Sequence, residues 1–120
     1  TGSAKQFGFA MEYSAGKVLA CSGDEPLTGE NFSHVEGATW LVHEAYCCHA
    51  DIEHYNPHPI HHGTVHEACA TAERLGVKNL VLYHTEDDDL AHRKERYVAE
   101  GRSMYGGNLH VPDDLEAFEL

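Results

Sequence analysis

Basic residues are scarce in this chain: Lys and Arg together number 8 against 20 Asp and Glu, for a formal net charge of −12. Charge of that sign repels phosphate backbones at long range, which argues against nonspecific nucleic-acid binding and favours cationic partners or metals. Long apolar runs are missing too, so no stretch can cross a membrane as a helix, and no basic-then-apolar leader is in view. The four cysteines (Cys21, Cys47, Cys48, Cys69) lack the paired spacings of a zinc ribbon, and the adjacent pair is poorly placed to bridge. Reduced, packed thiols in a soluble cytoplasmic protein are the expectation.

What is present suits one globular unit. The 120 residues, 42% hydrophobic and 23% charged, can bury a single core. The chain opens on TGSAKQFGF without an initiator methionine, and FGFAMEYSAGKVLACSGDE reads as a hairpin already in progress, so a fragment of something longer is expected.

Phe7, Phe9, Met11 and Tyr13 alternate with smaller or polar residues, SAGK supplies a turn, and Val18 to Cys21 resumes an apolar run, which predicts two paired strands. The second stops at Ser22-Gly23-Asp24. Residues 38–42 (ATWLV) predict a strand ending at His43-Glu44, and residues 45–62 an irregular loop, because Pro57 and Pro59 forbid a continuous helix. Thr64 can cap a helix with a core stripe of Val65, Ala68, Cys69, Ala72 and Leu75, Glu67 completing a capping box and Gly76 ending it. VKNLVLYH, residues 77–84, has the apolar, β-branched character of a buried parallel strand. A second helix is predicted from about Leu90 to Met104, then a short strand from Asn108 to Val111 and a closing strand from Leu115 to Leu120. This order predicts an α/β layered unit with helices against a mixed sheet.

The strand exits carry Asp24, His43-Glu44 and His84, and His61 or His62 arrives just before a helix. Seven of the eleven histidines fall between residues 43 and 66. Carboxylate and imidazole are the usual ligands of zinc, manganese and iron, and an aspartate can bridge two ions roughly 3.5–4 Å apart. Each residue also has a plain structural alternative: Asp24 as a turn residue, His84 as a hydrogen-bonded histidine, His62 as a helix cap.

The succession SGDE (22–25), LVHEAY (41–46), HHGTVHEA (61–68), NLVLYHTE (79–86) and GNLHVPDDLE (107–116) resembles the carboxyl-terminal half of metallo-β-lactamase-fold hydrolases, in particular ribonuclease Z and its phosphodiesterase-type relatives. Their pattern runs Gly-Asp-Thr, His-Glu-Ala-Thr, His-Ser-Thr and Leu-x-His. The resemblance implies half of a four-layer αβ/βα sandwich, a mixed sheet with helices on one face, spanning residues 1–120. It implies two divalent metal ions in the intact enzyme, zinc foremost with manganese or iron as alternatives, and phosphodiester hydrolysis by a metal-activated hydroxide. Asp24 would bridge the metals and His84 would be a terminal ligand. His62 would stand beside the scissile phosphate as proton donor or charge stabiliser, with Glu44 accepting its other N–H; His61 is the alternative should the alignment slip by one residue.

The same resemblance implies an H-x-H-x-D-H motif and a further histidine that this sequence lacks. Two protein ligands do not hold a catalytic two-metal centre, so this chain alone is expected to be inactive and to pair with the missing amino-terminal half or with a second copy. Gly-Asp-Glu for Gly-Asp-Thr, Gly63 for serine, Thr85-Glu86 for Phe-Ser and the net negative charge favour an unassigned phosphodiester or small ester over tRNA. Two other classes remain: a metal-binding module using His49, His54, His58, His61 and His62 with Cys47 or Cys48, and a noncatalytic dimerising half-fold.

Overall fold

The computed structural model describes residues 8–23, 27, 29–58, 63–83, 85, 90–113 and 116–120. A hairpin opens it, with β1 (Phe9–Ser14) antiparallel to β2 (Lys17–Cys21) and Gly16 in the left-handed region at the turn. A short helical turn, α1 (Phe32–Val35), leads to β3 (Trp40–Glu44). After a second short turn, α2 (Ile52–Tyr55), come α3 (Val65–Leu75), β4 (Asn79–Tyr83), α4 (Leu90–Arg102) and β5 (Asn108–His110). The five strands form one sheet in the order β1-β2-β3-β4-β5, with β2 to β5 parallel. This is the mixed α/β architecture expected from the sequence.

Strand alternation divides the sheet into two unlike faces. Ala20, Leu41, Leu80, Leu82 and Leu109 lie on one, aligned by register, and are buried against Val65, Ala68, Cys69, Ala72 and Leu75 of α3 and Tyr97 of α4. The α3 stripe is the one its sequence predicts, and both ends close as expected. Thr64 Oγ1 accepts the Glu67 N–H, the Glu67 carboxylate accepts the Thr64 N–H, and Gly76 ends the helix at φ 67°. Helix α4 approaches closely because residue 101 is glycine: a Cβ there would lie 2.5 Å from Leu109 Cδ2 and 2.9 Å from Cys69 Sγ.

The opposite face carries Phe9, Met11, Leu19, Cys21, Trp40, Val42 and Val81. No helix packs on it among the described residues, and Phe9 and Met11 are 53% and 48% exposed. The closing strand predicted from 115 to 120 is not formed over residues 116–120. Instead Phe118 turns onto this face and packs against Trp40 and His110, which stack on each other with ring centroids 5.4 Å apart. With β5 only three residues long, ladder bonds offer the segment less than ring burial does. No helix among the described residues is long and apolar enough to cross a membrane.

Candidate functional site

Parallel strands β2, β3 and β4 end on one edge of the sheet, where α/β proteins gather reactive groups. Beyond β2 the chain stays fastened to β3: the Ser22 N–H donates to the Val42 carbonyl at 2.9 Å, and Ser22 Oγ accepts the Glu44 N–H at 3.3 Å. Gly23 then takes φ 78°, and its carbonyl accepts a hydrogen bond from the Tyr83 hydroxyl at the end of β4. The residue before Asp24 is thereby joined to the residue before His84. Asp24 and His84 themselves lie outside the described residues.

His43 and Glu44 are buried at the end of β3. The His43 ring uses both nitrogens on backbone: Nε2 accepts the Leu27 N–H at 3.2 Å, so Nδ1 is the protonated nitrogen and donates to the Glu44 carbonyl at 2.7 Å. Burial pushes its pKa below the ordinary histidine value, with the bond to Glu44 opposing, which matches a neutral ring. Glu44 Oε1 accepts the Gly63 N–H at 2.7 Å. A fully buried carboxylate needs such donors to offset its lost hydration, and this one comes from the residue next to His62.

His61 and His62 also lie outside the described residues, but the chain is anchored on either side of them. On the near side His58 Nε2 sits 2.8 Å from Glu67 Oε1. Burial pushes the Glu67 pKa up, and the bonds from His58 and Thr64 outweigh it, holding the carboxyl below its usual range. On the far side the Gly63 carbonyl accepts the Tyr46 N–H, and the Val65 N–H donates to the Cys47 carbonyl. Past His84, Thr85 Oγ1 accepts from Arg93 Nη1 at 2.9 Å while Arg93 Nη2 donates to the Pro112 carbonyl, tying that strand exit to α4.

Of the four residues given catalytic or metal roles from the resemblance, Glu44 lies among the described residues, while Asp24, His62 and His84 lie outside them. Tyr83, His43 and Ser22 belong to the same edge and were given no role from the sequence. Period-two alternation puts Tyr83 on the open face with Val81, which was the available signal.

No group of three His, Cys, Asp or Glu that could hold a metal occurs among the described residues. Two donors, Asp24 and His84 as the resemblance implies, would not close such a centre. The histidine-loop alternative loses support, because its described members disperse. His49 Nδ1 faces Thr64 Oγ1 at 3.2 Å, His54 packs edge-on to Tyr55, and His58 is taken by Glu67. Burial first, then Glu100, raises the Cys48 thiol to about 12.

No protein-family model matches the chain. The curated relatives it matches are named ribonuclease Z. The sequence from Brevibacillus brevis is 32% identical over 116 residues, covering 93% of this chain and 36% of its own length, and that from Shouchella clausii is 30% identical, covering 93% and 35%. The chain thus spans about a third of the length of these relatives. Among solved structures it is similar in fold to the metallo-β-lactamase fold protein YhfI from Bacillus subtilis, with a TM-score of 0.67 at 16% identity over 82% of this chain and 38% of that one. Human tRNase Z, short form, gives a TM-score of 0.65 at 21% identity over 91% and 36%. In sequence and in fold the chain is ribonuclease Z-like, a piece of the metallo-β-lactamase fold.

Proposed function

We propose that the chain is the carboxyl-terminal half of a metal-dependent hydrolase that cleaves a phosphodiester, and that it is inactive until joined to an amino-terminal half. The observation that carries this reading is the buried Glu44 carboxylate fastened to Gly63, the neighbour of His62, on the edge where Gly23 and Tyr83 meet. Asp24 and His84 are the chain's metal donors. Divalent ions, zinc foremost, would supply charge stabilisation and a water of lowered pKa.

His62 gives its proton to the leaving oxygen as the phosphorus–oxygen bond breaks and a hydroxide, formed when water has already released a proton to solvent, bonds to phosphorus. Glu44 accepts the other ring N–H, which fixes the tautomer and favours the charged ring. The ribonuclease Z relatives support a phosphodiester, whereas a net charge of −12 disfavours tRNA as a partner of this half by itself. Phe9, Met11 and their neighbours on the open face suit the second half of the sandwich, or a second copy of the chain when that half is absent. The buried free thiols suit a reducing cytoplasm.

The test compares two substrates of the full-length protein. A dinucleotide, whose alkoxide leaving group needs a proton, should lose about 10²–10⁴-fold in kcat with His62→Ala. Bis(4-nitrophenyl) phosphate, whose leaving group does not, should lose far less. Equal losses on both substrates would remove His62 from the acid's role.

A further inference from the structure

Past Glu44 the chain makes one more bond to the neighbouring strand, from the Ala45 N–H to the Tyr83 carbonyl at 3.0 Å, and then leaves the sheet. Ala45, Cys47 and Cys48 are nonetheless buried, so the backbone there needs partners from elsewhere. On one side the entry to α3 supplies them. The Tyr46 N–H donates to the Gly63 carbonyl at 3.0 Å, the Val65 N–H donates to the Cys47 carbonyl at 2.9 Å, and Cys47 and Thr64 form a parallel bridge. On the other side stands α4. The hydroxyl of Tyr97, a residue only 1% exposed, donates to the Tyr46 carbonyl at 2.9 Å across 51 residues of chain. One turn further along the helix, Glu100 accepts the His49 N–H on Oε1 and the Ala50 N–H on Oε2, and Arg96 pairs with Asp51.

Packing alone does not explain a tyrosine here, since phenylalanine would fill the same place with an equal ring. What the hydroxyl adds is a donor for one peptide. That peptide chain is held at Tyr46 from both directions, its carbonyl by α4 and its N–H by Gly63. The Gly63 N–H is in turn the one that Glu44 Oε1 accepts at 2.7 Å. Tyr97, Tyr46, Gly63 and Glu44 thus form one line of hydrogen bonds from the helix layer to the catalytic edge.

We propose that Tyr97 and Glu100 are positioning residues that hold residues 46–50 against the entry of α3 and so fix the contact between Gly63 and Glu44. The inference deepens the reading of Glu44 as the partner of the general acid and rests on it. Tyr97 has the larger part, because its bond reaches the residue that meets Gly63. Glu100 acts further along the loop and nearer solvent.

The test uses the full-length protein and reads amide exchange at Gly63 together with kcat on the dinucleotide and on bis(4-nitrophenyl) phosphate. Tyr97→Phe should speed exchange of the Gly63 N–H about 10-fold relative to the amides of β4, the equivalent of one net hydrogen bond. It should lower kcat about 10–100-fold on the dinucleotide and far less on bis(4-nitrophenyl) phosphate, because a displaced Glu44 weakens only the step that needs the acid. A residue with a merely structural part would cost both substrates alike. Glu100→Ala should move both readouts in the same direction by less, and Glu100→Gln, which keeps one acceptor oxygen, should recover part of that loss. Two results in Tyr97→Phe would overturn the clamp and leave the acid's reading intact: unchanged Gly63 exchange, or kcat that falls equally or not at all on the two substrates while His62→Ala still separates them. Equal losses in His62→Ala as well would overturn both. Should Tyr97→Phe fail to fold, Glu100→Ala and Glu100→Gln decide by the same two readouts.

Discussion

Glu44 Oε1 accepts the Gly63 N–H at 2.7 Å, tying the end of β3 to the residue that follows His62. Glu44→Ala would leave that N–H without its acceptor in a site closed to water, at a cost of about 1–3 kcal/mol. Glu44→Gln keeps an acceptor oxygen and should cost less in stability. Both should lower kcat in the full-length protein, because neither supplies the charge that favours a protonated His62. Urea midpoints set beside kcat for the pair check this; a Glu44→Gln enzyme with wild-type kcat would reduce Glu44 to a structural fastening.

The neutral His43 ring makes stability pH-dependent in a defined direction. Its native pKa lies below the ordinary 6.5, so at lower pH the unfolded chain takes up the proton first. Stability is complete above pH 6.5 and declines as pH falls from there towards the lowered native value. His110, likewise pushed down by burial, acts with the same sign. Urea unfolding from about pH 7.5 to about pH 5.5 should show the decline in wild type and a shallower one in His43→Gln, whose difference isolates His43. Parallel curves would contradict the assignment of a buried, neutral ring.

Glycine at 101 lets α4 settle on α3 and β5. Gly101→Ala places a methyl against Leu109 and Cys69, and overpacking of this kind costs about 1–3 kcal/mol. Adding Leu109→Val should recover part of the loss, read as a coupling in denaturant midpoints. Strict additivity would mean that the two residues do not meet.

Burial raises the Cys69 thiol to about 12, as it does Cys48, and Cys47 is fully buried. In the folded protein at pH 8, Ellman's reagent should reach Cys21, which is half-buried, well before the other three. Unfolding should release all four. Fast native labelling of Cys48 or Cys69 would show that the α3 face of the sheet opens readily.

Local chemistry was the legible part. Thr64, Glu67 and Gly76 announce the limits of α3 because caps are built from residues a few positions apart, and the unbroken apolar run of β4 announces a strand buried on both faces. The four-residue helices α1 and α2 were not legible, since helices so short are held by their surroundings rather than by propensity. The predicted closing strand failed for a related reason: its short apolar stretch suits a strand edge, while Phe118 is held by the rings of Trp40 and His110. At the site, polar strand exits were visible as a pattern, and Glu44 is the last residue of β3. The bond between Tyr83 and Gly23 could not be read, because it depends on β3 separating β2 from β4 and on a turn across 60 residues of intervening chain.

Asp24 and His84 are proposed as this chain's donors to a two-metal centre. Elemental analysis of the full-length protein carrying Asp24→Ala, beside wild type, tests this most directly. Two bound ions in wild type and the loss of at least one in the variant are expected. Full occupancy in Asp24→Ala would contradict the assignment.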